Sequence, residues 1–337
     1  MAGSEEVRGI IVMSVERFDV QKLALDEGHL HQHIPIEFQL PELVGRLEVK
    51  VENSGYPETK INVMVYGPNG YRGMLDKDKS TFYISEGDVS YGMLPGGIEP
   101  GQWELVVDVA RIMGTSNITI TLAQEKLSKS WFQGDLHTHT VHSDGLHDLV
   151  EASGIAKEQG LDFIALTDHN TYSQNIALPL VEGFTFIPGM ELTTPKGHTN
   201  FLGVEKPLKV IRYTNKKEVR EMIHEAADKG AYISINHPFT GDCWFWGFED
   251  LPYNAVELWN GTLLSRNIQI LGWWQERLAR GLKVYITGGS DVHEHGADNR
   301  SYGNGRTLIY ASSMRYEDLI KGLHAGHNAV AASGSST

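Results

Sequence analysis

Hydrophobic and polar positions alternate with a period of two through the first third of the chain, in IPIEFQL, GRLEVKVEN, KINVMVYG, GQWELVVDV and NITITLA. The turn signals PNG, PGG and EPG separate these segments. Residues two apart share one face of a strand, so each segment has one face to bury, and a run of them predicts a β-sandwich over residues 1–128. From Trp131 the pattern changes to apolar strand runs alternating with helical stretches. WFQGDLHTH, FIALTDH, FTFIPGMEL, HTNFLGV, YISINHP, NAVELWN, KVYITGGSD and RTLIYA read as strands. HDLVEASGIAKEQG, KKEVREMIHEAADKG, SRNIQILGWWQERLARG and MRYEDLIKGLHAG carry apolar residues at three- and four-residue spacing and read as helices. That alternation predicts an α/β domain over residues 129–337 with a parallel sheet closed into a barrel. The boundary falls in the polar stretch LAQEKLSKS, residues 122–130.

Composition narrows the chemistry. No apolar run in the 337 residues approaches the roughly 18 that a membrane span needs. The segment MAGSEEVRGIIVMSVERF lacks the features of a secretory signal, so a cytoplasmic location is expected, with a trimmed secreted chain as the alternative. Acidic residues outnumber basic ones by 43 to 29, which disfavours stable binding to nucleic acid or an anionic membrane. With Cys243 as its single cysteine, the chain must hold any metal through nitrogen and oxygen.

Twelve of the 15 histidines lie after residue 130, and many stand at the C-terminal ends of predicted strands, the active face of a barrel. His137, His139 and Asp144 follow the first such strand, Asp168 and His169 end the second, and Glu191 ends the third. His198 opens the next strand, His237 ends INHP, and Asp291 and His293 end GGSDVH. His137 and His139 share a strand face, so one cation can bind both. Asp135 shares that face and is a candidate partner for a ligand. Histidine and carboxylate without thiolate suit zinc, manganese or iron, and Glu191 is the candidate bridge between two cations. Two such cations hold a hydroxide at neutral pH and clamp phosphoryl oxygens, which is hydrolase chemistry.

In order along the chain, GDLHTHTVHSDG, TDHN, GMELT, GHTNFLG, NHP and GGSDVH resemble the motifs of the PHP (polymerase and histidinol phosphatase) superfamily of metal-dependent hydrolases. The preceding β-domain with YGMLPGGIEPGQWEL and the GDLHTHT opening is similar to its CehA/McbA branch, named for a carbaryl hydrolase. The resemblance implies a distorted (β/α)7 barrel with two or three divalent cations (Mn2+, Zn2+ or Fe2+) at the strand ends. It assigns His137, His139, Glu191 and Asp291 to the first cation, Glu191, His198 and His237 to the second, and Asp144, His169 and His293 to a third. Asp291 is further expected to relay the proton of the attacking water or leaving group, with a helix N-cap as its alternative role.

Other residues stay open between two roles. Asp168 either orients a ligand or makes a turn. His142 reaches substrate or faces solvent. Arg306, Arg300 and Arg266 are candidates for phosphate recognition or ordinary surface residues. Asn260 lines the pocket or makes a turn, and Trp244 and Trp246 wall a pocket or pack a core. His29, His31 and His33 alternate in HLHQH without a carboxylate pattern, and are read as a surface strand. The expected activity is a phosphoric ester hydrolase, foremost a phosphodiesterase on small phosphorylated substrates. The alternatives are a carbamate or carboxyl ester hydrolase, and a ligand-binding or docking protein with structural metals. In the enzyme reading, the sandwich is expected to cover one mouth of the barrel; the oligomeric state is not legible.

Overall fold

The computed structural model describes residues 15–86, 88–240, 251–262 and 265–332. The chain divides into two units, Met1–Ser128 and Lys129–Thr337.

In the first unit, eight strands form two four-stranded antiparallel sheets: β1 (Glu16–Leu25), β2 (His33–Leu40), β3 (Val44–Gly55), β4 (Lys60–Gly67), β5 (Gly70–Leu75), β6 (Thr81–Ser85), β7 (Gly101–Arg111) and β8 (Ser116–Lys126). One sheet runs β1-β8-β3-β6 and the other β2-β7-β4-β5. The alternation is visible in β7, where Trp103, Leu105, Val107 and Val109 are buried and their neighbours are not. These residues join Leu47, Val49, Phe82, Ile118 and Ile120 of the other sheet in one core, the arrangement of a sandwich. The HLHQH segment is not one strand: Glu27–His29 make a single 3-10 turn capped by Asp26, His31 has φ 60°, and only His33 belongs to a strand, as the first residue of β2. The aspartate before the turn accepts from the Gly28 N–H and diverts the chain from extended pairing.

In the second unit, β9 (Ser130–Thr138), β10 (Phe163–Leu166), β11 (Thr185–Ile187), β17 (Arg306–Ala311) and β18 (Asn328–Ala331) form one five-stranded sheet, in the order β11-β10-β9-β17-β18. A second sheet runs in sequence order through β12 (Gly189–Thr194), β13 (Gly197–Leu202), β14 (Tyr232–Ile235), β15 (Ala255–Asn260) and β16 (Tyr285–Gly289). Helices α1 (Leu149–Glu158), α2 (Lys216–Asp228), α3 (Ser265–Ala279) and α4 (Tyr316–His324) occupy the four predicted helical stretches. Asp148 caps α1 through the Val150 and Glu151 N–H groups, and α2 buries Val219, Met222, Ile223 and Ala226. Among the described residues, no helix is long and apolar enough to cross a membrane.

The expected closed (β/α)7 barrel is corrected by this topology: among the described residues the strands form two sheets that no continuous ladder closes. β12 and β13 pair antiparallel because only Pro195 and Lys196 separate them, too short a link for a crossover helix, and β14 pairs antiparallel with β13 although α2 lies between them in the chain. FTFIPGMEL is also two strands. Pro188 has no N–H to give a ladder, and there the chain leaves β11 in one sheet for β12 in the other. Single bridges join Thr138, the last residue of β9, to Val292 after β16, and His169 after β10 to Glu191 within β12. Both bridges lie among the candidate ligands.

Candidate metal centre

Strand periodicity sets the first three acidic and imidazole groups. Asp135, His137 and His139 follow one another at two-residue spacing along and just past β9, and each is at most 1% exposed. Glu191, on β12, is fully buried and lies within reach of five imidazoles. Its Oε1 is 3.3 Å from His137 Nε2, 3.3 Å from His198 Nδ1 and 3.7 Å from His237 Nε2. Its Oε2 is 2.6 Å from His169 Nδ1 and 3.8 Å from His139 Nε2. Asn236 Nδ2 donates to Oε1 at 2.7 Å, and the Thr193 hydroxyl donates to Oε2 at 3.1 Å. Asp291 Oδ1 stands 3.1 Å from His139 Nε2 and 3.4 Å from His137 Nε2. On the outer side, His169 Nε2 and His293 Nε2 face each other at 3.4 Å, with Asp144 Oδ1 at 3.6 Å and 3.3 Å from them.

Among the described residues, ligand atoms within 4.8 Å of one another thus form three groups: His139, Asp144, His169 and His293; His137, Glu191 and His237; and His137, His139 and Asp291. Eight of the nine expected ligands fall in these groups. His198 is outside them, although it is one of the five imidazoles around Glu191. His139 joins the outer group as well as the one with Asp291, which departs from the expected partition.

The donor set fits divalent cations. His139 Nδ1 is buried without a hydrogen-bond partner, and His137 Nε2 and His198 Nδ1 are buried with carboxylate oxygens no nearer than 3.3 Å, an expensive arrangement for polar atoms that no ion serves. Charge is balanced the same way. Burial opposes ionisation of Glu191, but the His137 charge and hydrogen bonds from His137, His169 and His198 hold its carboxyl well below the ordinary range. Asp291 is likewise held well below it, burial being outweighed chiefly by His137 and by the bond from His139. Burial pushes the His137 imidazole down, and Glu257, Asp291 and Glu191 more than reverse this, raising it well above its usual value.

Two candidate ligands sit on strained backbone: Asp291 has φ 54° and His237 φ 25°. Arg300 braces the first. Its Nη1 donates to the Ser290 carbonyl at 2.6 Å and the Asp291 carbonyl at 3.2 Å, and lies 3.1 Å from Asp291 Oδ2. Asp291, His293, Arg300 and Asp144 line a cavity of about 360 Å3.

Two expected catalytic residues lie apart from these groups. The Arg306 guanidinium is buried against Gln133 Oε1 and the Gly303 and Gln159 carbonyls, and Gln133 precedes His137 by four residues, roughly 13 Å of strand. Its sequence position after the Asp291 loop is misleading, because β17 runs antiparallel to β9, from Thr307 opposite Gly134 to Ala311 opposite Ser130, and so away from His137 and His139. His142 is exposed, with Nδ1 2.8 Å from the Ser173 hydroxyl. Asp168 accepts from the Thr140 N–H and from the Thr140 and Ser143 hydroxyls, so it shapes the loop after β9 rather than orienting an imidazole. Trp244 and Trp246 lie outside the described residues.

Sequence reasoning missed Glu257, Asn236 and Thr193, which bond directly to candidate ligands. Asn236 was findable, since it stands between a strand and His237. Glu257 sits mid-strand in AVELWN, where an acid ordinarily faces solvent.

No protein-family model matches the chain. The uncharacterized protein MJ1587 of Methanocaldococcus jannaschii is 26% identical over 144 residues, covering 38% of this chain and 81% of that one. Among solved structures, an amidohydrolase from Chromobacterium violaceum, with bound sulfate and no metal, is 14% identical over 49% of this chain and 88% of that one, with a TM-score of 0.31. A two-domain protein from Bacteroides vulgatus containing a predicted PHP-like metal-dependent phosphoesterase is 22% identical, with a TM-score of 0.44; the match covers 61% of this chain and spans 66%, about two thirds, of that one.

Proposed function

We propose that residues 129–337 form a metal-dependent hydrolase of the PHP type acting on phosphoesters, small phosphodiesters first, with two or three divalent cations. The observation that carries this reading is Glu191, a buried carboxylate ringed by five imidazoles and continuous through His137 and His139 with Asp291 at an open cavity. Mn2+, Zn2+ or Fe2+ bound there supplies Lewis acidity towards a phosphoryl oxygen and lowers the pKa of water.

The protein's own groups do the rest. Glu191 and the imidazoles fix the ligand positions before substrate arrives. Asp291, held ionised, is the group at the cavity wall that takes up a proton from the attacking water and returns it to the leaving oxygen. Arg300 is the single Lys or Arg among the described lining residues, against the carboxylates of Asp144, Asp291, Glu294 and Asp298. Beyond the cations, the wall thus adds one cationic side chain among several carboxylates, which suits the single negative charge of a diester better than the second charge of a monoester.

The test is turnover of an aryl phosphodiester, an aryl phosphomonoester and an aryl carbamate by the Mn2+-loaded protein, with a chelated control. Diester turnover above the other two, abolished by chelation and by Glu191→Gln, is expected. Preference for the carbamate would replace the phosphoesterase with a carbamate or carboxyl ester hydrolase. Cation binding without turnover of any ester would favour a docking protein with structural metals.

A further inference from the structure

We propose that Glu257 is a positioning residue of this centre, the group that fixes which nitrogen of His137 is offered to a cation; the inference rests on reading the site as a metal centre. Glu257 and Asn260 are three residues apart on β15, and a regular strand would send them to opposite faces. The β15–β16 ladder slips between them, Glu257 pairing with Thr287 and Trp259 with Gly288, so that Leu258 is the extra residue of a bulge. Both side chains therefore reach the same side, where Asn260 Nδ2 donates to Glu257 Oε2 at 3.0 Å.

The Glu257 carboxylate is 2% exposed and spends both oxygens on the centre. Oε1 is 2.8 Å from His137 Nδ1, and Oε2 accepts from the His237 N–H at 2.9 Å. Asn260 Nδ2 extends the chain to Asp291 Oδ2 at 3.4 Å. One strand thus reaches three candidate ligands: His137 through its ring, His237 through its backbone, and Asp291 through Asn260. An acceptor at Nδ1 keeps a hydrogen there, so the nitrogen that a cation would take is Nε2, which faces Glu191 and Asp291.

An amide cannot take the place of this carboxylate. With its carbonyl towards His137, the side chain introduced by Glu257→Gln would point its NH2 at the N–H groups of His237 and Asn260. Reversed, it would point the NH2 at His137 Nδ1 and move the ring hydrogen to Nε2, the nitrogen the cation needs. The first orientation disturbs His237 and, through Asn260, Asp291; the second disturbs His137.

The experiment is calorimetric titration of the chelated full chain with Zn2+, for the unmodified protein, Glu257→Gln and Asn260→Ala, alongside the melting temperature of each without cation. Zn2+ affinity is expected to fall roughly 10- to 100-fold in Glu257→Gln and about tenfold in Asn260→Ala, the range for partners that orient a metal ligand. In the Zn2+-loaded protein, imidazole nitrogen shifts should report hydrogen at Nδ1 of His137. A purely structural Glu257 would lower the cation-free melting temperature and leave affinity unchanged, which overturns the proposal. Should Glu257→Gln not fold, unchanged affinity in Asn260→Ala overturns it equally. Failure of the unmodified protein to bind Zn2+ would instead bring down the metal-centre reading, and this proposal with it.

Discussion

A buried carboxylate is tolerated where donors converge on it, and Asp135 meets three backbone N–H groups. Oδ1 accepts from His137 at 3.1 Å and Ser290 at 2.9 Å, and Oδ2 accepts from Gly303 at 2.8 Å. Burial lifts its carboxyl to about 6, and the three donors keep it from rising further, so at neutral pH it is ionised and accepts on both oxygens. It thereby ties β9 to the segment that carries Asp291. Asp135→Asn places an NH2 against one of these N–H groups, and a denaturant titration at neutral pH should show a loss of about 1–3 kcal/mol. An unchanged midpoint would mean that the site relaxes to accommodate the amide. At this scale the sequence was legible where residue type was decisive: histidines two apart and an acid after a strand mark donors wherever the backbone puts them. Arg306 and Glu257 were not legible, because their roles depend on which partner strand lies beside them.

Strand ends, more than strands, build the site. The four helices follow the apolar spacing of their segments, and the pattern of two marked five strands of the first unit. The link between β12 and β13 was misread as part of a parallel alternation, although its length forbids a crossover. The β15 bulge leaves no mark in AVELWN, since slippage is a property of the ladder and not of one strand. Close approach between strands has a readable sign in glycine. A Cβ on Gly289, at the end of β16, would overlap the Cβ of His137 and come 2.8 Å from its N. Gly289→Ala should therefore push β9 from β16, at a cost of about 1–3 kcal/mol in stability, and weaken Zn2+ binding with it. Parallel melting and titration experiments check this; lost stability with intact Zn2+ affinity would show that His137 moves without leaving the ligand set.

For the whole molecule, the net charge of −14 and the division into two units make different demands on cations. The overall negative field attracts cations to the surface everywhere, weakly and with strong dependence on salt. The ligand groups instead lie entirely in Lys129–Thr337, on β9, β12 and the segments after β9, β10, β14 and β16. A cation that binds folded protein at 100 times its Kd stabilises it by about 2.7 kcal/mol, and only structure that must open to release the ion receives that protection. Hydrogen exchange with and without Mn2+ at about 0.15 M salt, where surface charges are screened beyond roughly 8 Å, should then slow in peptides from β9, β12 and β14–β16, and stay constant in β1–β8. The sandwich serves as the internal control, because it shares the overall charge but its described residues contribute none of the ligand atoms. Equal slowing in β1–β8 would mean that the ions act through the general field and not through Glu191 and its imidazoles.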